Sequence, residues 1–264
     1  MILASSAPGI FAGDSFEQVI RLERGARVRL TSQSALQIHP SAARDSSTAR
    51  LSYSRHALAD HAALLSSYHV ADAATLHCHW DPLIPFANAR FRQRIDVRLA
   101  ESAHLYWSDA FMCGRAFAPR QVQDVRVPSS ALGALPACGS VDAHVGTGEQ
   151  WAFASFAHEF LVMRGETLEY LERYRLVPEE RRVAHPWVGG DACYFGTTLV
   201  SGSPIDAGDV ERLRAGLSAM PGLHAATDAL AARLLIVRAM CRSGVSFHDG
   251  RELIGSRFAK SSFP

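Results

Sequence analysis

Three stretches of this chain share one pattern: Leu22-Glu-Arg-Gly-Ala26-Arg-Val28, Val70-Ala-Asp-Ala-Ala74-Thr-Leu76 and Leu99-Ala-Glu-Ser-Ala103-His-Leu105. In each, a few small or polar residues separate two runs that alternate apolar with polar. After the first turn, Ala26, Val28 and Leu30 alternate with Arg27, Arg29 and Thr31; before the third, Ile95, Val97 and Leu99 alternate with Arg94, Asp96 and Arg98. A period of two is what a strand needs when one face packs inward and the other meets solvent. The small-residue turn suits a β-hairpin or a strand corner. The copies are unequally spaced, which argues against a regular solenoid. Repeated strand–turn–strand units in an extended, multi-stranded β-sheet assembly are expected instead.

Helical signals come late. Asp206 and Asp209 precede Val210, Leu213 and Leu217, placing carboxylates at the N-terminus of an amphipathic run. A second helix is expected from Thr227 to about Arg242, with Leu230, Leu234 and Val237 as its apolar stripe and Gly244 as its end. The fold class is therefore mainly β (α+β), with one or two helices near the C-terminus. A single domain over 1–264 is expected, with apparent insertions at about 41–67 and 128–148. Within the first, Leu58, His61, Ala62 and Leu65 place a helix at Ser54 to Ser66. The second is rich in Gly, Pro, Ala and Ser and reads as a long loop.

Composition narrows the class of function. The formal net charge is +1, which gives no electrostatic reason for nucleic acid as the main partner. The longest apolar stretch, around Leu234 to Val237, is too short to span a bilayer, and Met1-Ile2-Leu3-Ala4 lacks a charged n-region, so the expected location is cytoplasmic. Cys78, Cys113, Cys138, Cys193 and Cys241 are scattered, with no Cys-x-x-Cys pair, and make neither a disulfide framework nor a zinc finger. No nucleophile elbow, phosphate-binding Gly-rich loop ending in Lys-Ser/Thr or His-Glu-x-x-His is present, so no enzyme is expected.

The turn Pro8-Gly9-Ile10-Phe11-Ala12-Gly13-Asp14, followed by a strand pair ending in Thr31-Ser32-Gln33, resembles the start of the urease accessory protein UreD (UreH) family. Further segments are similar to that family in the same order. They are Thr75 to Phe86 with its Asp81-Pro-Leu-Ile-Pro-Phe turn, Asn88 to Leu99, Trp107 to Arg115 ending in Gly114-Arg115, Arg164-Gly-Glu-Thr-Leu168 and Tyr174-Arg-Leu176. The resemblance implies several strands ahead of the Gly-Asp turn, so an N-terminal strand segment is expected to be missing here. It implies a urease maturation factor, a non-enzymatic scaffold or chaperone that acts with UreF and the GTPase UreG on apo-urease and assists nickel insertion. No cofactor is expected to be held tightly, and Ni(II) would be in transit. The competing readings are a β-rich metal-dependent enzyme using His77 and His79, and a degenerate interaction module of the same family.

His77-Cys78-His79 with Asp81 is the most metal-like cluster. On a strand His77 and His79 project to one face, and imidazole suits Ni(II), while Cys78 points to the other face. The alternative is a pair of histidines on a polar strand face or at an interface. Asp14, after Gly13, is placed either to hold its own turn or to join a polar metal path. Thr31 and Gln33 share a strand face and could bond across strands or line a channel. Asp81 and Asp109 complete the candidate polar path, and Arg115 reads as an ion-pair residue.

Overall fold

Each repeated unit sends its two strands into different sheets. The computed structural model describes residues 9–41, 60–115, 149–179 and 192–258. The first strands of the units, β1 (Ser15–Leu22), β4 (Ala62–Val70) and β7 (Arg90–Leu99), run parallel. β9 (Ser155–Arg164) continues them in parallel and β10 (Thr167–Leu176) closes the sheet antiparallel, in the order β1-β4-β7-β9-β10. The second strands, β2 (Arg27–Thr31), β5 (Thr75–His79) and β8 (His104–Met112), are the parallel half of the other sheet. β11 (Tyr194–Ser201), β13 (Leu234–Cys241) and β12 (Leu223–Ala231) complete it antiparallel, in the order β12-β13-β11-β8-β5-β2. Two short strands, β3 (Leu36–Ile38) and β6 (Leu83–Pro85), pair with one another beside β8.

The three sequence copies are three stacked corners, so the corner reading holds and the hairpin reading does not. Leu22, Val70 and Leu99 are in register in one sheet; Val28, Leu76 and Leu105 are in register in the other. The backbone ladder continues around the bend. Ala71 N–H donates to Leu22 O at 3.1 Å and Ala100 N–H to Val70 O at 2.9 Å. On the other side Thr75 N–H donates to Ala26 O at 2.8 Å and His104 N–H to Ala74 O at 2.9 Å. Ala74 and Ala103 are fully buried at the inside of the bend, where only a methyl fits. Gly25 and Ala73, at equivalent corner positions, both take positive φ (73° and 55°). Arg164 locks the third corner. Its guanidinium donates to the carbonyls of Ala100, Glu101 and Ala103 and to Ser201 Oγ, and pairs with Glu169 at 2.5 Å.

Between the sheets, Tyr68, Ile95, Val97, Phe160 and Val162 meet Leu76, Cys78, Leu105, Trp107 and Leu199. The outer face of the β12–β2 sheet carries α1 (Ala207–Ser218) and α2 (Gly244–Phe258). Val210, Leu213, Leu217, Phe247 and Ile254 pack there on Tyr106, Val200, Leu235 and Val237. Asp206 caps α1 by accepting from Asp209 N–H at 3.1 Å, as its sequence indicates.

The mainly β class with late helices is borne out, but two expected helices are not. Thr227 to Arg242 forms most of the β12–β13 hairpin. Leu234 and Ile236 face the inter-sheet core while Leu235 and Val237 face the helices, so this continuous apolar run is a strand covered on both sides. Gly244 begins α2 instead of ending a helix. Its Cβ-free face lies against Tyr194, whose hydroxyl an added methyl would meet at 2.8 Å. The described part of the expected Ser54 to Ser66 helix is 60–66, and of it Ala62 to Ser66 lie in β4, between two parallel neighbours. The last residues of the 41–67 stretch thus belong to the middle of a sheet. Residues 42–59 and the whole 128–148 stretch lie outside the described residues.

Candidate functional site

β8 alternates between two environments. Tyr106, Ser108 and Ala110 face the helices, while Trp107, Asp109 and Phe111 face the space between the sheets. Asp109 is thereby an acid on the core-facing phase of a strand. It lines two cavities, one of about 450 Å³ and one of about 250 Å³. Leu83, Gln93, Asp109 and Ala110 contribute to both and form the partition between them.

The larger cavity mixes an aromatic wall with a few polar groups. Phe111, Phe156 and Phe195 are apolar lining; Gln93, Asp109, His158, Glu172, Tyr174 and Arg238 supply donors and acceptors. Glu172 accepts from Tyr170 OH at 2.9 Å and pairs with Arg238 at 3.2 Å. His158 Nδ1 lies 3.0 Å from Gln93 Oε1, and the imidazole stacks on Tyr174 with centroids 4.8 Å apart. Burial lowers the His158 pKa to about 4, so the ring is neutral near pH 7. With Nδ1 donating to the Gln93 carbonyl, Nε2 keeps its lone pair. Burial pushes the Asp109 carboxyl up to about 7, an effect partly offset by the adjacent Trp107 indole and reinforced by the charge of Glu172. The residue is half-buried where it lines the two cavities, and the protein packed around it supplies the desolvation. The carboxyl can thus exchange a proton near neutrality.

The smaller cavity is lined by Gln18, Ser66, Tyr68, Trp80 and Asp81 among others. Gln18 Nε2 donates to Ser66 Oγ and Tyr68 OH, each at 2.8 Å. Asp81 is tied to Ser32: the hydroxyl donates to Asp81 Oδ2 at 3.0 Å and accepts from Asp81 N–H at 2.6 Å.

The other candidates are placed elsewhere. Asp14 Oδ2 accepts from Phe11 N–H at 2.9 Å, and Asp14 N–H donates to Phe11 O at 3.0 Å, a turn held by its own carboxylate. Thr31 and Gln33 are exposed and line neither cavity. Arg115 forms a bidentate ion pair with Glu149 and lies 4.4 Å from the Phe86 ring centroid. His77 and His79 share the helix-covered face of β5, with Cys78 in the inter-sheet core on the other side. His77 meets Tyr106 edge-on at 4.5 Å. Burial and then Arg29 hold its pKa down at about 4; burial and then Arg251 hold that of His79 at about 3. The cation that acts most on His79 is fixed, since Arg251 donates to Ser108 Oγ at 2.9 Å and to Trp80 O at 2.7 Å. Among the described residues, no group of three or more His, Cys, Asp or Glu is placed to hold a metal ion.

Asp81 and Asp109 are thus brought together along one path, while His77 and His79 lie on the other face of the same sheet. Sequence reasoning missed Gln93, His158, Glu172, Tyr174 and Arg238. For Gln93 and His158 a signal existed: each is a polar residue on the buried phase of an otherwise alternating strand, where an apolar one is the rule.

Among the described residues no helix is long and apolar enough to cross a membrane. A family model described as UreD urease accessory protein matches residues 1–130 and 143–254. A urease accessory protein UreD of Lysinibacillus sphaericus (strain C3-41) is 34% identical over 115 residues, which is 44% of this chain and 37% of that relative. Urease accessory protein UreD 1 of Bradyrhizobium sp. (strain ORS 278) is 26% identical over 224 residues, covering 84% of this chain and 63% of its own length. UreD of Rhodopseudomonas palustris (strain BisA53) is 26% identical over 259 residues, covering 93% and 74%. The match to the first of these spans little more than a third of that relative's length. With the family model matched across most of its length and the motif order of its sequence, the chain belongs to the UreD urease accessory protein family.

Proposed function

We propose that this protein is a urease maturation factor: a non-enzymatic, cytoplasmic scaffold that acts with UreF and UreG on apo-urease and assists nickel insertion. The observation that carries the reading is the pair of neighbouring cavities that share Asp109 in their linings. Carboxylate, amide, imidazole and phenol groups lie along them without closing into a three-ligand cluster of the described residues. A cargo ion needs such exchangeable oxygen and nitrogen donors, because a complete site would retain it. Ni(II) is here the transported substrate. In this reading Glu172 supplies negative charge and Asp109 does so once the ion displaces its proton, His158 is a neutral nitrogen donor, and the aromatic wall limits competing water. His77 and His79, beside Arg29 and Arg251, stand off this route.

The test is genetic and analytical. Deleting the gene should leave urease synthesised but nickel-poor, with metal content and activity restored by the wild-type chain. Full nickel content in the deletion strain would falsify the maturation role. Equilibrium dialysis of Ni(II) against the wild type and His77→Ala/His79→Ala then separates the two metal placements. Unchanged affinity supports the Asp109 route; a loss of nickel binding with the fold intact assigns metal to the histidine pair instead.

A further inference from the structure

The sheet built from β1, β4, β7, β9 and β10 has no described helix on its outer face, in contrast to the other sheet. Its strands alternate, so the residues that meet solvent are known from register. β7 presents Arg90, Arg92, Arg94 and Arg98 outward, with Phe91, Gln93, Ile95 and Val97 buried. β10 adds Arg173 and Arg175, and β1 adds Arg21. The carboxylates on this face are Glu17, Asp96 and Glu159. Seven arginines against three carboxylates leave an excess of four positive charges, on a chain whose formal total is +1.

Of the four arginines on this face with no carboxylate partner among the described residues, Arg90, Arg92 and Arg175 lie toward one end and Arg21 toward the other. Glu159 is shared by Arg94 (3.5 Å) and Arg173 (2.8 Å), and Asp96 pairs with Arg98 (3.4 Å). Arg92 and Arg175 have no carboxylate partner among the described residues. They flank Ala157 in one cross-strand row, Ala63–Arg92–Ala157–Arg175. Two strand spacings set their backbones about 9–10 Å apart, with only a methyl between them. A carboxylate seated over Ala157 would reach both guanidinium groups. Leu65 lies in the next outward row, with Arg94, Glu159 and Arg173, and the row beyond that holds the exposed or half-buried aliphatic side chains Val19, Leu161 and Leu171.

We propose that this face docks a partner protein whose surface presents carboxylates around an aliphatic centre. The inference rests on the maturation reading, which requires docking, and adds which surface docks and what chemistry it meets. Five strands of eight to ten residues make a plane of roughly 600–800 Å², close to the ~800 Å² per partner of a stable interface. Arg, Leu and one Met (Met163) on the outward positions of a sheet fit a protein surface. Single-stranded nucleic acid would need aromatic stacking platforms, and no Phe, Tyr or Trp occupies an outward position of these strands.

The experiment uses the full chain co-expressed with UreF, UreG and apo-urease of the same genome. The wild type should assemble with them, with affinity falling at least tenfold between 50 and 300 mM NaCl. Arg92→Glu/Arg175→Glu should weaken assembly at least tenfold at 150 mM NaCl, with circular dichroism unchanged. Arg92→Gln/Arg175→Gln should fall between, and Arg212→Glu/Arg233→Glu, the same charge change off this face, should assemble like the wild type. Hydrogen exchange in the complex should slow in peptides covering 92–98 and 157–163. Assembly of Arg92→Glu/Arg175→Glu at wild-type affinity, or protection on the helical face alone, overturns the docking assignment and leaves the maturation role standing. Failure of the wild type to assemble removes both. Micromolar binding of a uridine 20-mer, lost in Arg92→Glu/Arg175→Glu, would assign the face to nucleic acid and overturn the proposal.

Discussion

Single residues in this fold carry protonation states that solvent would not give them. His77, His79 and His158 are held neutral in the folded chain, with pKa values of about 4, 3 and 4, and must charge on acid unfolding. Between about pH 4 and 6.5 the unfolded state binds more protons, so their contribution to stability is full above 6.5 and lost as pH falls. Asp109 has the opposite sign. The folded carboxyl keeps its proton up to about pH 7 while the unfolded one releases it near 4, so its contribution falls as pH rises through that window. Three histidines against one carboxyl make Tm decline from pH 6.5 to 4.5, and His158→Gln should flatten that slope in thermal melts. Asp109→Asn should raise Tm at pH 8, by about 2–4 °C per kcal/mol recovered in a chain of this size. The same substitution should impair nickel transfer, since the amide cannot carry the charge. An unchanged Tm at pH 8 would place the carboxylate in a solvated site instead.

At the scale of elements, the corner stack is the part most exposed to error. Arg164→Met removes the guanidinium that holds three corner carbonyls and leaves Glu169 without its cation, at an expected cost of about 3–5 kcal/mol in urea unfolding. Ala103→Val overpacks the inside of the same bend and should cost about 1–3 kcal/mol. Strand periodicity located β1, β2 and β7 from sequence because each buries one face only. β13 escaped because both of its faces are buried, and four consecutive apolar residues have no period to read. α2 also went unread. Its start, where Ser243 Oγ accepts from Ser246 N–H at 3.3 Å, and its buried Phe247, Gly250 and Ile254 are ordinary helix signals, obscured by the glycines between them.

For the whole molecule, the two sheets divide the work. One face of the stack is covered by α1 and α2, the interior holds the cavities, and the other face is an arginine-bearing plane with no described helix over it. Docking and transfer should therefore separate in mutants. In the deletion strain, Asp109→Asn/Glu172→Gln should still assemble with UreF, UreG and apo-urease but leave urease nickel-poor. Loss of assembly in that variant would show that the cavity residues act through the fold alone.

The sequence by itself determined the strand-rich class, the first helix with its cap, the three equivalent strand–turn–strand units and the family, because all of these are written in local alternation, turn residues and motif order. Only the tertiary structure decided that the corners stack in parallel instead of folding into hairpins, since register belongs to pairs of strands far apart in the chain. It also decided the site. His77 and His79 are neighbours by local geometry, and the sequence points to them for that reason. Asp109, His158, Glu172 and Tyr174 come from three strands in two sheets, and only the stacking of those sheets gives them a common cavity.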